Sequence, residues 1–186
     1  MKTKQVLISA LSAFILITGC KKKEDPVIPN EEELITTLTY TLISQDGTDT
    51  VVFRFQDLDG QGGNNPIITG GTLLTNTIYI GTIELLNEQV NPAQNITDEV
   101  KSESEAHQFF YNQSGIAATV SYNDADQNGN PIGIKTMVAA QSASTGTLTI
   151  TLRHEPDKFA TGVSAGDMTN AGGETDIEVT FDVDIQ

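Results

Sequence analysis

From Asp176 to Ile185 the chain alternates: Ile177, Val179, Phe181, Val183 and Ile185 share one parity, while Glu178, Asp182 and Asp184 share the other. Successive side chains of a strand point to opposite faces, so this stretch predicts a strand with one face in a core and one in water. A one-residue slip would move every apolar side chain to the wet face, so its register is strongly specified. Such a strand needs paired neighbours and a second layer to cover it.

The rest of the chain supplies them. Leu34, Leu38, Tyr40 and Leu42 alternate against Thr37, Thr39 and Thr41. Gln45-Asp46-Gly47-Thr48 reads as a turn, and Val51, Phe53 and Phe55 alternate again, so residues 34–56 predict a hairpin. Residues 77–86 are apolar on both parities and read as a central strand covered on both sides. Ala106 to Tyr111 places His107, Phe109 and Tyr111 on one face and Phe110 on the other. Further strands follow at 117–123, 132–139 and 146–153. Residues 96–101 suit one short helix capped by Asn95 or Thr97, with acids in its first turn. Residues 156–174 form a long Gly/Ser/Asn/Ala loop. The expected fold is mainly β: an antiparallel β-sandwich of Ig-like or jelly-roll type with one short helix. An open β-barrel is the alternative.

The first 33 residues obey a different logic. Lys2 and Lys4 precede an apolar run from Val6 to Ile17, and small residues then lead into Cys20. That order is a secretory signal peptide, too short for a comfortable span. Its ending Ile17-Thr18-Gly19-Cys20 resembles a bacterial lipobox, which implies cleavage before Cys20 and acylation of its thiol. The expected organisation is a signal peptide (1–19), a lipidated tether (20–33) and a single β domain (34–186). Cys20 is the one cysteine of the chain, so no disulfide is available to staple the fold. Lys23-Glu24-Asp25 resembles the signal that sends some Bacteroidota lipoproteins to the cell surface. The expected location is therefore the outer membrane, on its periplasmic face or at the cell surface.

A formal charge of −15 sets the choice of partners. Such a surface repels nucleic acid and anionic headgroups and attracts cations, so membrane contact is expected through the lipid alone. Two constellations could hold a cation. Asp124, Asp126 and Asn128 alternate with Gly129 in sixth place, as at the start of a calcium loop, but Lys135 occupies the twelfth place, where an acid is required. Asp57 and Asp59 with Gly60 form a poorer version. The same residues also make good hairpin turns. The second constellation is His107 and His154, with Glu103, Glu105 and Glu155 nearby in sequence; imidazole and carboxylate together suit zinc or copper. The competing reading is two structural histidines, each satisfied by its own neighbours. No cofactor is required by the sequence; calcium is the first candidate, zinc or copper the second. The sequence has no Gly-x-Ser-x-Gly elbow and no zinc-protease helix motif, and an acylated Cys20 is no nucleophile.

Three stretches together resemble a group of small Bacteroidota envelope lipoproteins of unestablished function, often labelled "type 1 periplasmic binding fold". They are Ile68-Thr69-Gly70-Gly71-Thr72-Leu73 with Ile83-Glu84-Leu85-Leu86-Asn87-Glu88; His107-Gln108-Phe109-Phe110-Tyr111; and Leu152-Arg153-His154-Glu155-Pro156 with Asn170-Ala171-Gly172-Gly173-Glu174-Thr175-Asp176. The resemblance implies residence in the cell envelope. The two α/β lobes that the label denotes need more helices than this chain offers. The expectation is a non-catalytic, lipid-anchored binding or accessory module, serving an outer-membrane uptake system through an outer-membrane protein partner. The alternative is a metal-binding lipoprotein.

Overall fold

The computed structural model describes residues 33–60 and 62–186. The predicted signal peptide, Cys20 and the tether up to residue 32 lie outside the described residues. Among these, the elements run β1 (Thr37–Ser44), β2 (Thr50–Gln56), β3 (Ile67–Thr69), β4 (Gly71–Leu73), β5 (Thr77–Asn87), β6 (Gln94–Asn95) and α1 (Ile96–Ser102). There follow β7 (His107–Ser114), β8 (Ala118–Tyr122), β9 (Lys135–Ala140), β10 (Ser144–His154) and β11 (Glu174–Ile185). Two 3-10 turns, Val163–Ala165 and Met168–Asn170, punctuate the loop before β11.

The strands form two sheets, as a sandwich requires. One has the order β3-β2-β1-β5-β9-β8, with β6 added to β5; the other has the order β4-β11-β10-β7. Nearly every pairing is antiparallel. β4 is parallel to β11, because the chain changes sheets between β3 and β4. Gly70 is the corner: a Cβ there would lie 2.1 Å from the carbonyl oxygen of Asp182, so only glycine lets the chain cross against β11.

The core fills the space between the sheets. Leu38, Tyr40, Phe53, Tyr79, Ile83 and Leu85 from one meet Phe109, Ile150, Leu152, Val179 and Phe181 from the other, and all are buried. The alternation of β11 is kept from Ile177 to Ile185, with odd positions buried and even positions exposed. α1 closes one end. Its Asn95 cap makes no side-chain bond to the helix backbone. Thr97 instead accepts from the backbone N–H of Leu85 at 2.8 Å and fastens the helix to β5.

The expectation for residues 77–86 needs correction. β5 is central in its sheet, but only one of its faces is covered: Ile78 and Ile80 are 42% and 38% exposed. Ile80 stands in register with Ile43 on β1 and Met137 on β9, so the outer face carries an apolar row across three strands. Among the described residues no helix is long and apolar enough to cross a membrane.

Candidate functional site

β7 and β10 pair antiparallel, and the last pair of that ladder is His107 with His154. Their ring centroids are 4.4 Å apart at an interplanar angle of 40°. Two features hold the pair in place. The N–H of Glu155 donates to the carbonyl of Ala106 just beyond the ladder, at 2.6 Å. The Nδ1–H of His107 donates to the carbonyl oxygen of Glu103, the residue that ends α1, at 3.2 Å. A carbonyl only accepts, so Nδ1 carries the proton and Nε2 of the neutral ring presents a lone pair.

That lone pair faces a carboxylate. On β11 the register with β10 shifts between Leu152 and Arg153: Leu152 pairs with Ile177, but Arg153 pairs with Thr175. Asp176 is the extra residue of this bulge. The parity of the strand alone would send it to water beside Glu178; the bulge turns it inward. Its side chain is fully buried, with Oδ2 3.7 Å from Nε2 of His107 and Oδ1 3.8 Å from Nδ1 of His154. Nε2 of His107 has no hydrogen-bond partner among the described residues. Burial pushes the His107 imidazole below its ordinary pKa, opposed by the bond to Glu103.

Negative charge gathers round this centre. A carboxylate oxygen of Glu103 and one ring nitrogen of each histidine lie within 4.8 Å of one another. Glu33, where the tether meets the domain, has its carboxyl pushed up to about 7 by burial, by a hydrogen bond with Glu99, and by the charges of Glu99, Glu103 and Asp176. Of the residues singled out in the sequence, the fold brings together His107, His154 and Glu103. Glu105 and Glu155 are exposed and stand outside this group.

The calcium-like loops are occupied by the protein itself. Asp124 accepts from the backbone N–H groups of Gly133 at 2.7 Å and Lys135 at 2.8 Å. One oxygen of Asp126 accepts from the N–H groups of Asn128 and Asn130, both at 2.9 Å. Its other oxygen accepts from Nζ of Lys158 at 3.0 Å; that ammonium also donates to the carbonyls of Ser104 at 2.6 Å and Pro131 at 3.0 Å. A buried lysine thus pairs with Asp126 and ties this loop to two other segments. Asp57 accepts from Gly60 N–H and Asp59 from the backbone and side chain of Asn64, as turn residues do. These are the hydrogen bonds of Asx-type turns, the competing reading of both loops.

Sequence reasoning missed Asp176, Lys158 and the Glu33–Glu99 pair. Asp176 was hidden because strict alternation assigns it to the solvent face, and only a bulge contradicts that. Lys158 is a single cation in a polar loop, and nothing in its neighbourhood marks it as buried. Comparison with protein-family models, with curated proteins and with solved structures finds no match to this chain.

Proposed function

We propose that this chain is a lipid-anchored envelope lipoprotein of the kind found in Bacteroidota, and that its β-sandwich is a non-catalytic binding module. In this reading it is held in the outer membrane by acyl chains on Cys20. It serves as an accessory to an uptake system through an outer-membrane protein partner. The observation that carries the binding role is the closed polar centre between β7, β10 and β11. The side chains of His107, His154 and Asp176 are 0%, 8% and 0% exposed. Groups so enclosed cannot reach the scissile bond of a large substrate, but they can surround something small. A centre that holds a ligand needs convergent donors, and these residues provide them.

The test is a thermal-melt screen of the full-length lipoprotein in detergent against inorganic ions and small polar solutes, run beside His154→Ala. A ligand at a hundredfold excess over its Kd stabilises by about 2.7 kcal/mol, a rise of roughly 5–10 °C in Tm for a domain of this size. The expected result is such a rise in the wild type and none in the variant. If no solute protects the wild type, the binding reading fails.

A further inference from the structure

We infer that His107, His154 and Asp176 are ligands of a single divalent transition-metal ion of the zinc class, with Glu103 completing the set from the solvent side. This deepens the reading of the same centre as a ligand site and rests on it.

Three features of the geometry point to an ion. First, an acceptor faces an acceptor. The Nδ1–H of His107 is committed to the carbonyl of Glu103, which leaves the Nε2 lone pair aimed at the carboxylate of Asp176 with both side chains fully buried. Lone pair against carboxylate is repulsive in a low-dielectric interior, and a cation between them reverses the sign. Second, the separations of 3.7 and 3.8 Å are too long for hydrogen bonds. Two atoms each about 2.1 Å from a common ion lie roughly 3.4 Å apart at the tetrahedral angle and up to roughly 4.2 Å at wider angles. Both separations fall in that interval. Third, the outer partner is in place: a metal-binding imidazole ordinarily donates its second nitrogen to a carbonyl or carboxylate, which fixes ring orientation and raises basicity. The carbonyl of Glu103 does this for His107.

The donor set selects the kind of ion. Two imidazoles with carboxylates suit zinc or copper, while calcium and magnesium prefer oxygen throughout. Glu103 reaches the ion by a movement of its side chain, from a position in which its carboxylate oxygen and one ring nitrogen of each histidine lie within 4.8 Å of one another. Its exposed position allows that movement and gives the ion a way in.

The experiment uses untagged full-length lipoprotein, stripped with chelator and titrated with Zn2+ by calorimetry and with Co2+ by visible absorption. The expected result is one equivalent bound, with the intense visible bands of four-coordinate Co2+. Asp176→Asn preserves shape and His154→Ala lies at the rim, so both should keep the wild-type circular dichroism. Each should weaken binding by roughly 10–100-fold or more. A folded wild type that binds neither ion overturns the inference, as does binding unchanged in both variants, which would place the ion elsewhere. The two readings fail separately. If metals do nothing but another solute protects the wild type and not His154→Ala, the binding module stands without its metal. If nothing protects it, both fall.

Discussion

Asp176 reaches His107 only because β11 carries one more residue than β10 across the step from Leu152 to Arg153. The bulge turns a carboxylate that alternation would place in water to within 3.7 Å of a fully buried imidazole. Inserting one residue between Arg153 and His154 should restore plain pairing and disperse the centre. The expected outcome is a folded protein, by circular dichroism, whose Co2+ bands are absent.

Lys158 and Asp126 form a buried ion pair, with side chains 3% and 1% exposed. Removing one partner strands the other charge, which typically costs about 3–5 kcal/mol. Lys158→Met is expected to lose stability of that order in urea unfolding. The double variant Lys158→Met with Asp126→Asn should recover part of the loss, because no lone charge then remains.

Both oxygens of Asp124 accept backbone N–H groups. Asp124→Ala leaves those donors without their acceptor and should cost about 1–3 kcal/mol. With Asp124 and Asp126 so engaged, melts of the metal-stripped wild type with and without millimolar calcium should coincide. A calcium-dependent rise in Tm that Asp124→Ala abolishes would identify the loop as a cation site.

Gly70 lies at the corner between the sheets, where an added Cβ would meet the carbonyl of Asp182 at 2.1 Å. Backbone rather than a flexible side chain stands in the way, so the strain cannot be relieved locally. Gly70→Ala should destabilise by about 1–3 kcal/mol or more in urea unfolding.

Glu33 binds its proton more tightly in the folded protein, its pKa rising from 4.5 to about 7. The folded state therefore holds more protons than the unfolded chain between those values, and stability falls as pH rises through that window. Unfolding of the metal-free protein should show this loss between about pH 4.5 and pH 7. Glu33→Gln should flatten the profile.

Cys20 lies outside the described residues, but its chemistry can be checked. Mass spectrometry of the protein from its native host should show a mature start at Cys20 carrying acyl chains. An unmodified cysteine, or cleavage at another site, removes the anchor from the proposal.

Period-two patterning was enough to find β1, β2, β7, β10 and β11, because a strand's side chains obey a local rule that reads directly from parity. His154 continues the parity of Leu148, Ile150 and Leu152 and is buried with them, and the short helix was legible from its acids and its cap position. What parity cannot see is which strands become neighbours. His107 and His154 meet because β7 and β10 pair in a register that ends on them, and that register comes from packing along the whole ladder. Nor can parity anticipate its own exception at Asp176, where the bulge depends on fitting β11 to β10. Sheet order also decided that β5 has one wet face, since its apolar residues on both parities imply cover that no second layer among the described residues provides. The buried place of Lys158 depends on three segments converging, at Ser104, Asp126 and Pro131. Local chemistry thus determined the strands, and long-range packing alone determined the site.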